Sequence, residues 1–217
     1  MSAATHAARM DAIYAGQRHI YDATRKYYLL GRDRLINELA PPPRGTIVEV
    51  GCGTGRNLIL AARRWPQARC HGFDISAAML ETARAKVAGA GLADRIALAQ
   101  GDATHWEPRL LFGFDAADAI FMSYTLSMIP DWQGAIGAAC DALAPGGALH
   151  IVDFGQQERL PAPFRAGLFA WLDRFEVTPR ADLRHWLEVA AGGSDLSLDF
   201  TPLYRGYAWR AVLRRPA

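Results

Sequence analysis

The chain has 217 residues, 51% of them apolar, which suffices for one domain with a substantial core and is too short for two comfortable ones. A formal net charge of +2 lacks the basic excess of a nucleic-acid binder. Three cysteines, Cys52, Cys70 and Cys140, at no metal-like spacing, argue against a structural zinc site and for a reducing compartment. Of the 24 basic residues only Lys26 and Lys86 are lysines, so the positive charge is almost all guanidinium.

Apolar and aromatic residues recur at helical intervals over residues 11–39, with a break near Gly31, which predicts two helices before the first strand. The run from Pro41 to Gly45 stops them. Strands are predicted over 47–50, 69–73, 96–100, 116–122 and 148–153, and helices over 56–65, 77–88 and 132–143. This alternation implies a doubly wound parallel sheet with helices on both faces. One or two helices over 163–191 and a hairpin of strands 196–203 and 207–213 complete the chain. Charges every few residues at the N-terminus, and no apolar stretch long enough to span a bilayer, predict a cytoplasmic protein able to touch a membrane.

The segment from Val48 to Asn57 joins the first strand to its helix through Gly51, Gly53 and Gly55. Such glycines let a ligand approach the backbone closely. Their G-x-G-x-G spacing differs from the G-x-G-x-x-G of dinucleotide sites, and Glu49, two residues ahead of Gly51, would repel phosphates. A cofactor carrying a sulfonium and an ammonium suits that acid, so the turn fits S-adenosylmethionine better than a dinucleotide. Asp74 ends the second strand, where a carboxylate can accept from both ribose hydroxyls. Asp102 ends the third, where it can accept from the adenine amino group while Ile75 and Ala103 flank the ring.

These segments, with the run from Leu143 to Gly147, resemble the successive motifs of class I S-adenosylmethionine-dependent methyltransferases. The resemblance implies a Rossmann-like, seven-stranded α/β sheet in which only the last-but-one placed strand is antiparallel. It also implies lid helices over 11–40, a cofactor core over 46–153, a substrate insertion over 154–195 and a terminal hairpin over 196–214 of a single domain spanning 1–217. S-adenosylmethionine would be held by Tyr27, Glu49, Gly51, Gly53, Gly55, Asn57, Asp74, Ile75, Met79, Asp102, Ala103 and Ser123, and would leave as S-adenosylhomocysteine. No metal is expected.

The tyrosine- and cation-rich stretch from His19 to Leu35 resembles the bacterial diacylglycerylhomoserine N-methyltransferases of betaine-lipid synthesis. That resemblance implies three successive methylations of the amine of a homoserine-headed glycerolipid at the inner face of the membrane. It also suggests association with the enzyme that forms the homoserine lipid, and no nucleic-acid partner. Tyr21, Tyr28, Ser123, Tyr124 and Asp153 are then candidates for the acceptor side of the reaction, although Asp153 fits a helix or turn cap equally well. Tyr14 could add an aromatic face for a methylated ammonium. Arg25, Arg180 and Arg205 are possible readers of the homoserine carboxylate, and the sequence does not choose among them. His150, inside a strand, is read as a satisfied core histidine. Phe164, Leu168, Phe169, Trp171, Leu172 and Phe175 beside arginines suit an acyl-chain surface, or an ordinary amphipathic cover for the sheet. Competing readings are a phosphatidylethanolamine N-methyltransferase, a small-molecule or quinone methyltransferase, and a cofactor-binding subunit without turnover.

Overall fold

A computed structural model describes residues 28–193 and 195–217. Seven helices and seven strands are formed among them: α1 (Arg32–Glu38), β1 (Thr46–Val50), α2 (Arg56–Arg64), β2 (Arg69–Asp74), α3 (Ala77–Gly89), β3 (Ile96–Gln100), α4 (Pro108–Phe112), β4 (Ala117–Ser123), α5 (Trp132–Asp141), β5 (Leu143–Phe154), α6 (Ala162–Asp173), α7 (Leu183–Gly192), β6 (Ser197–Leu203) and β7 (Ala208–Arg214). They build one seven-stranded sheet in the order β3-β2-β1-β4-β5-β7-β6. Every pairing is parallel except those of β7, which runs antiparallel to both β5 and β6. This is the Rossmann-like class I methyltransferase fold that the sequence motifs imply.

The central strands are buried on both faces, as near-continuous apolar runs such as Ile120-Phe121-Met122 require. One face packs Leu58, Ala61, Leu80, Phe121 and Val152 together with Leu35, Ile36 and Leu39 of α1. The other packs Ile120, Met122, Leu149 and Ile151 against Trp132, Ile136 and Leu187. No helix among the described residues is long and apolar enough to cross a membrane.

Two departures from the sequence expectation have simple causes. The short α4 lies between β3 and β4, where no helix is predicted; five residues opened by a proline leave too little periodicity to detect. Strand β5 begins at Leu143 rather than at residue 148, because Leu143 already pairs with Ala117 and a register shift carries the Pro145-Gly146-Gly147 segment into the strand. Read locally, that segment is a turn.

The two ends of the described chain are tied together. Arg210 of β7, nearly buried, donates through Nε to Glu38 of α1 at 2.5 Å and through Nη1 to Asp199 of β6 at 2.8 Å. The hydroxyls of Tyr207 and Tyr124 donate to the carbonyls of Tyr28 (2.8 Å) and Leu30 (2.6 Å).

His150 of β5 is a core residue, but the expectation that it is satisfied fails: both ring nitrogens are buried without a hydrogen-bond partner. Burial, aided by the nearby cations Arg214 and Arg210, pushes its pKa down from 6.5 to about 4. The neutral ring is thus a native-state requirement, and stability drops as pH falls from about 6.5 towards 4 because only the unfolded chain accepts the proton. His150→Leu removes that dependence. Its thermal midpoint relative to the wild-type protein should be higher at pH 5 than at pH 8 by about 2–4 °C, the shift expected for roughly 1 kcal/mol in a protein of this size, in paired scanning-calorimetry runs.

Candidate active site

The order of strands makes β1 a neighbour of both β2 and β4, so the connections after β1 and β4 leave on opposite faces and open a crevice at the carboxyl ends of the strands. A cavity occupies it, lined by Gly51 and Gly53 from the turn after β1, Asp74, Ile75 and Met79 at and after the end of β2, Gly101, Asp102 and Ala103 after β3, and Ser123, Tyr124, Thr125, Met128 and Ile129 at and after the end of β4, with Phe73.

Gly51 has φ +69°, and a Cβ there would come within 2.4 Å of Thr125 Cγ2. Only glycine lets the β1 turn lie against the β4 loop. The turn is fixed from the other side by Asp74, whose Oδ2 accepts from Gly53 N at 2.8 Å and whose Oδ1 accepts from Ser76 N at 2.9 Å. Asp102 accepts through Oδ1 from the backbone N–H and the hydroxyl of Thr104. Ser123 Oγ at the end of β4 is buried without a partner.

Among the described lining residues, two carboxylates, no cationic side chain and one unpartnered hydroxyl are a donor and acceptor set that repels phosphate and suits S-adenosylmethionine. Asp74 and Asp102 offer acceptors to ribose and adenine, and Met79 and Ile75 offer apolar contact.

Of the proposed cofactor residues, Gly51, Gly53, Asp74, Ile75, Met79, Asp102, Ala103 and Ser123 are brought together around this cavity, while Glu49, Gly55 and Asn57 lie outside its lining. Gly55, also at positive φ, caps the N-terminus of α2. Glu49 is buried beneath the turn, accepting from Asn57 Nδ2 at 2.8 Å through Oε1, while Oε2, Asn57 Oδ1 and Arg56 Nη1 are buried without partners. Burial pushes its pKa from 4.5 up to about 8, with Asn57 and the nearby Arg32 opposing. Tyr14, Tyr21, Arg25 and Tyr27 fall outside the described residues.

A second, smaller cavity shares Tyr124 and Met128 with the first. Its walls are Tyr28, Leu29, Tyr124, Ser127, Met128, Phe154, Trp171, Leu172, Phe175 and Val177. Edge-to-face contacts of Tyr28 with Trp171 (4.8 Å) and of Tyr124 with Phe154 (4.7 Å) hold the aromatic lining. Among the described residues its lining holds no charged side chain.

The remaining acceptor-side candidates occupy varied surroundings. Arg180 is engaged as a clamp, donating to the carbonyls of Leu126 (3.0 Å) and Ile129 (2.6 Å), and is not directed at a substrate carboxylate. Arg205 is exposed on the turn between β6 and β7. Asp153 is buried and accepts from Phe154 N (2.7 Å) and Ser127 N (3.1 Å), the backbone-capping arrangement left open from sequence. The Tyr124 hydroxyl is spent on Leu30, and burial holds its pKa well above 10, so it is no base near neutral pH. Of the insertion residues, Trp171, Leu172 and Phe175 line the second cavity, whereas Phe164 is half exposed.

Thr125, Ser127, Met128 and Ile129 escape the sequence reading, although the proximity of their loop to Ser123 and Tyr124 is a usable signal.

Two measurements probe the geometry. Asp74→Ala should weaken S-adenosylhomocysteine binding by about 10–100-fold in calorimetry, because it removes a charged acceptor of about 1.5–3 kcal/mol. For Glu49, a folded-state pKa above the unfolded value means stability is lost as pH rises from about 4.5 to 8. Glu49→Gln should therefore raise the ligand-free thermal midpoint at pH 8 by about 2–4 °C and have little effect at pH 4.5.

Residues 47–147 match the family model described as a methyltransferase domain. A trans-aconitate 2-methyltransferase of Streptomyces coelicolor is 33% identical over 153 residues, covering 70% of this chain and 44% of that protein. One of Streptomyces avermitilis is 36% identical over 150 residues, 68% of this chain and 54% of that protein. The chain thus spans about half the length of these curated relatives. They are named for trans-aconitate, so the finer likeness of the N-terminal segment to betaine-lipid enzymes finds no support in them. Among solved structures, an O-methyltransferase family protein from Burkholderia thailandensis aligns with a TM-score of 0.68 at 20% identity, covering 90% of this chain and 59% of that one. A putative S-adenosylmethionine-dependent methyltransferase from Methanococcus maripaludis aligns with a TM-score of 0.64 at 20% identity, covering 97% and 92%. Fold, motif succession and family match agree: residues 47–147 belong to a class I S-adenosylmethionine-dependent methyltransferase domain, and S-adenosylmethionine is its cofactor.

Proposed function

We propose that this protein transfers a methyl group from S-adenosylmethionine to an acceptor whose reactive end enters the aromatic cavity. The observation that carries this reading is the junction of the two cavities at Tyr124 and Met128. Tyr124 and Met128 line both an acidic chamber suited to the cofactor and an apolar, aromatic one beside it. Bound S-adenosylmethionine supplies a methyl carbon activated by its sulfonium. The residues of the chain hold the two reactants in line, an alignment that alone can account for roughly 7–11 kcal/mol of barrier reduction. Asp74 and Asp102 hold the nucleoside, Gly51 and Gly53 let it approach the backbone, and Thr125, Met128 and Ile129 wall off water.

For the acceptor we favour an amine carried on an apolar body, in the first place the headgroup of diacylglycerylhomoserine. A ring of Tyr28, Tyr124, Phe154, Trp171 and Phe175 attracts a methylated ammonium through its aromatic faces, by about 0.5–2 kcal/mol per contact. The half-exposed Phe164 on α6 beside Arg165 suits contact with an anionic membrane. The names of the relatives favour a second reading, trans-aconitate. A tricarboxylate needs cationic readers. Among the described residues none lines the aromatic cavity, Arg180 is tied to backbone carbonyls, and Arg32 stands beside Glu49 and Tyr124.

The test is S-adenosylhomocysteine production with diacylglycerylhomoserine, phosphatidylethanolamine and trans-aconitate offered separately, the lipids in detergent micelles. Turnover of the homoserine lipid with three successive mass gains supports the favoured reading. Turnover of trans-aconitate alone replaces it, and no turnover with any of the three removes both acceptors. Trp171→Ala should reduce kcat/KM for the lipid by about 10–100-fold, through lost packing of about 3–5 kcal/mol shared between fold and site, while S-adenosylhomocysteine affinity stays within twofold.

A further inference from the structure

Among the described residues lining the aromatic cavity there is no carboxylate, imidazole or amine, yet an amine must lose its proton before it can accept a methyl group. Among its lining residues the side-chain oxygens belong to Tyr28, Tyr124 and Ser127. Ser127 stands on the loop after β4 with its backbone fixed at both ends: its N–H donates to Asp153 Oδ2 at 3.1 Å, and its carbonyl accepts from Thr178 N at 2.9 Å. Arg180 fixes the residues on either side through Leu126 O and Ile129 O. What stays adjustable at Ser127 is rotation about Cα–Cβ. Its hydroxyl is buried without a hydrogen-bond partner among the described residues, on the residue whose backbone N–H already meets Asp153 Oδ2. Asp153 keeps lone pairs beyond those taken by Ser127 N and Phe154 N.

We propose that Ser127 and Asp153 form the proton exit of the acceptor site, with Ser127 as the group that touches the acceptor and Asp153 as the final proton acceptor. The proposal rests on the reading that an amine enters the aromatic cavity. The acceptor N–H proton passes to Ser127 Oγ as the hydroxyl proton of Ser127 passes to an oxygen of Asp153. The nitrogen lone pair so freed forms the bond to the methyl carbon, the carbon–sulfur bond breaks, and its electron pair stays on sulfur. Asp153 returns the proton through the same hydroxyl to water when the products leave. Burial raises the pKa of Asp153 above 3.8, against the hydrogen bonds from Phe154 N and Ser127, which brings a carboxylate closer to the range useful for a base. The titratable and charged groups facing it are Tyr124 from the β4 loop and Arg180 from the segment after α6. A carboxylate acceptor such as trans-aconitate needs no such exit, so the pair also separates the two acceptor classes.

The experiment has two independent readouts on Ser127→Ala, Ser127→Thr and Asp153→Asn. The first is the pH dependence of S-adenosylhomocysteine formation with diacylglycerylhomoserine in micelles. Ser127→Ala should lose about 10²-fold in kcat with unchanged S-adenosylhomocysteine affinity, Ser127→Thr should recover most of it, and Asp153→Asn should abolish the acid limb of the profile. The second needs no acceptor: carbon NMR titration of the Asp153 carboxyl, identified by its disappearance in Asp153→Asn. Loss of the hydroxyl in Ser127→Ala should move its pKa up, and Ser127→Thr should restore it. An unmoved titration in Ser127→Ala, or an unchanged rate and profile where the lipid is turned over, overturns the relay. If the wild-type protein turns over no amine, the amine reading has failed, and a Ser127-dependent Asp153 titration still upholds the coupled pair.

Discussion

Placing β1 between β2 and β4 is the constraint on which the rest of this molecule depends. Because the chain changes direction across the sheet at that point, helices cannot cover the carboxyl ends of β1 and β4 from one side, and a crevice remains. The polar ends of β2 and β3 then face the crevice from one flank, and the β4 loop faces it from the other. Contact between Gly51 and the Thr125 side chain closes its floor, so the cofactor chamber is set by backbone geometry before any ligand contributes.

The two halves of the site are built on different physics. The cofactor half uses short-range devices: a glycine turn, an aspartate that accepts from N–H groups of two adjacent loops, and a hydroxyl at a strand end. The aromatic cavity, proposed as the acceptor half, is assembled from distant pieces. Its walls come from the segment before α1, from the β4 loop, from the end of β5 and from α6, and its loop is held by Arg180, 54 residues from Leu126. A cofactor shared among many enzymes demands fixed geometry, whereas an acceptor demands adaptable walls.

That division explains what could be read from sequence. The strand and helix pattern, the sheet class and the residues Asp74, Ile75, Asp102 and Ala103 follow from local periodicity and motif spacing, because each lies within a few residues of the strand end that positions it. Arg180 could not be understood that way: its composition suggests a carboxylate reader, and only the tertiary structure shows its fork occupied by two carbonyls. Asp153 was ambiguous for the same reason, since the N–H groups it accepts include one 26 residues away. His150 shows the converse. Its burial is legible from strand position, but its lack of partners depends on which residues of β4 and β7 surround it.

The pairing of Arg210 with both Glu38 and Asp199 has a consequence for synthesis as well as for stability. A guanidinium this well buried is costly without its carboxylates, and those carboxylates lie 172 and 11 residues away. Tyr207 reaches back to Tyr28 across a still longer interval. During translation, therefore, the strands around the glycine turn can pair while the segment before β1 still lacks the contacts that seat it. The Tyr28 wall of the aromatic cavity is tied down only once the hairpin beyond residue 200 is present to supply the Tyr207 hydroxyl.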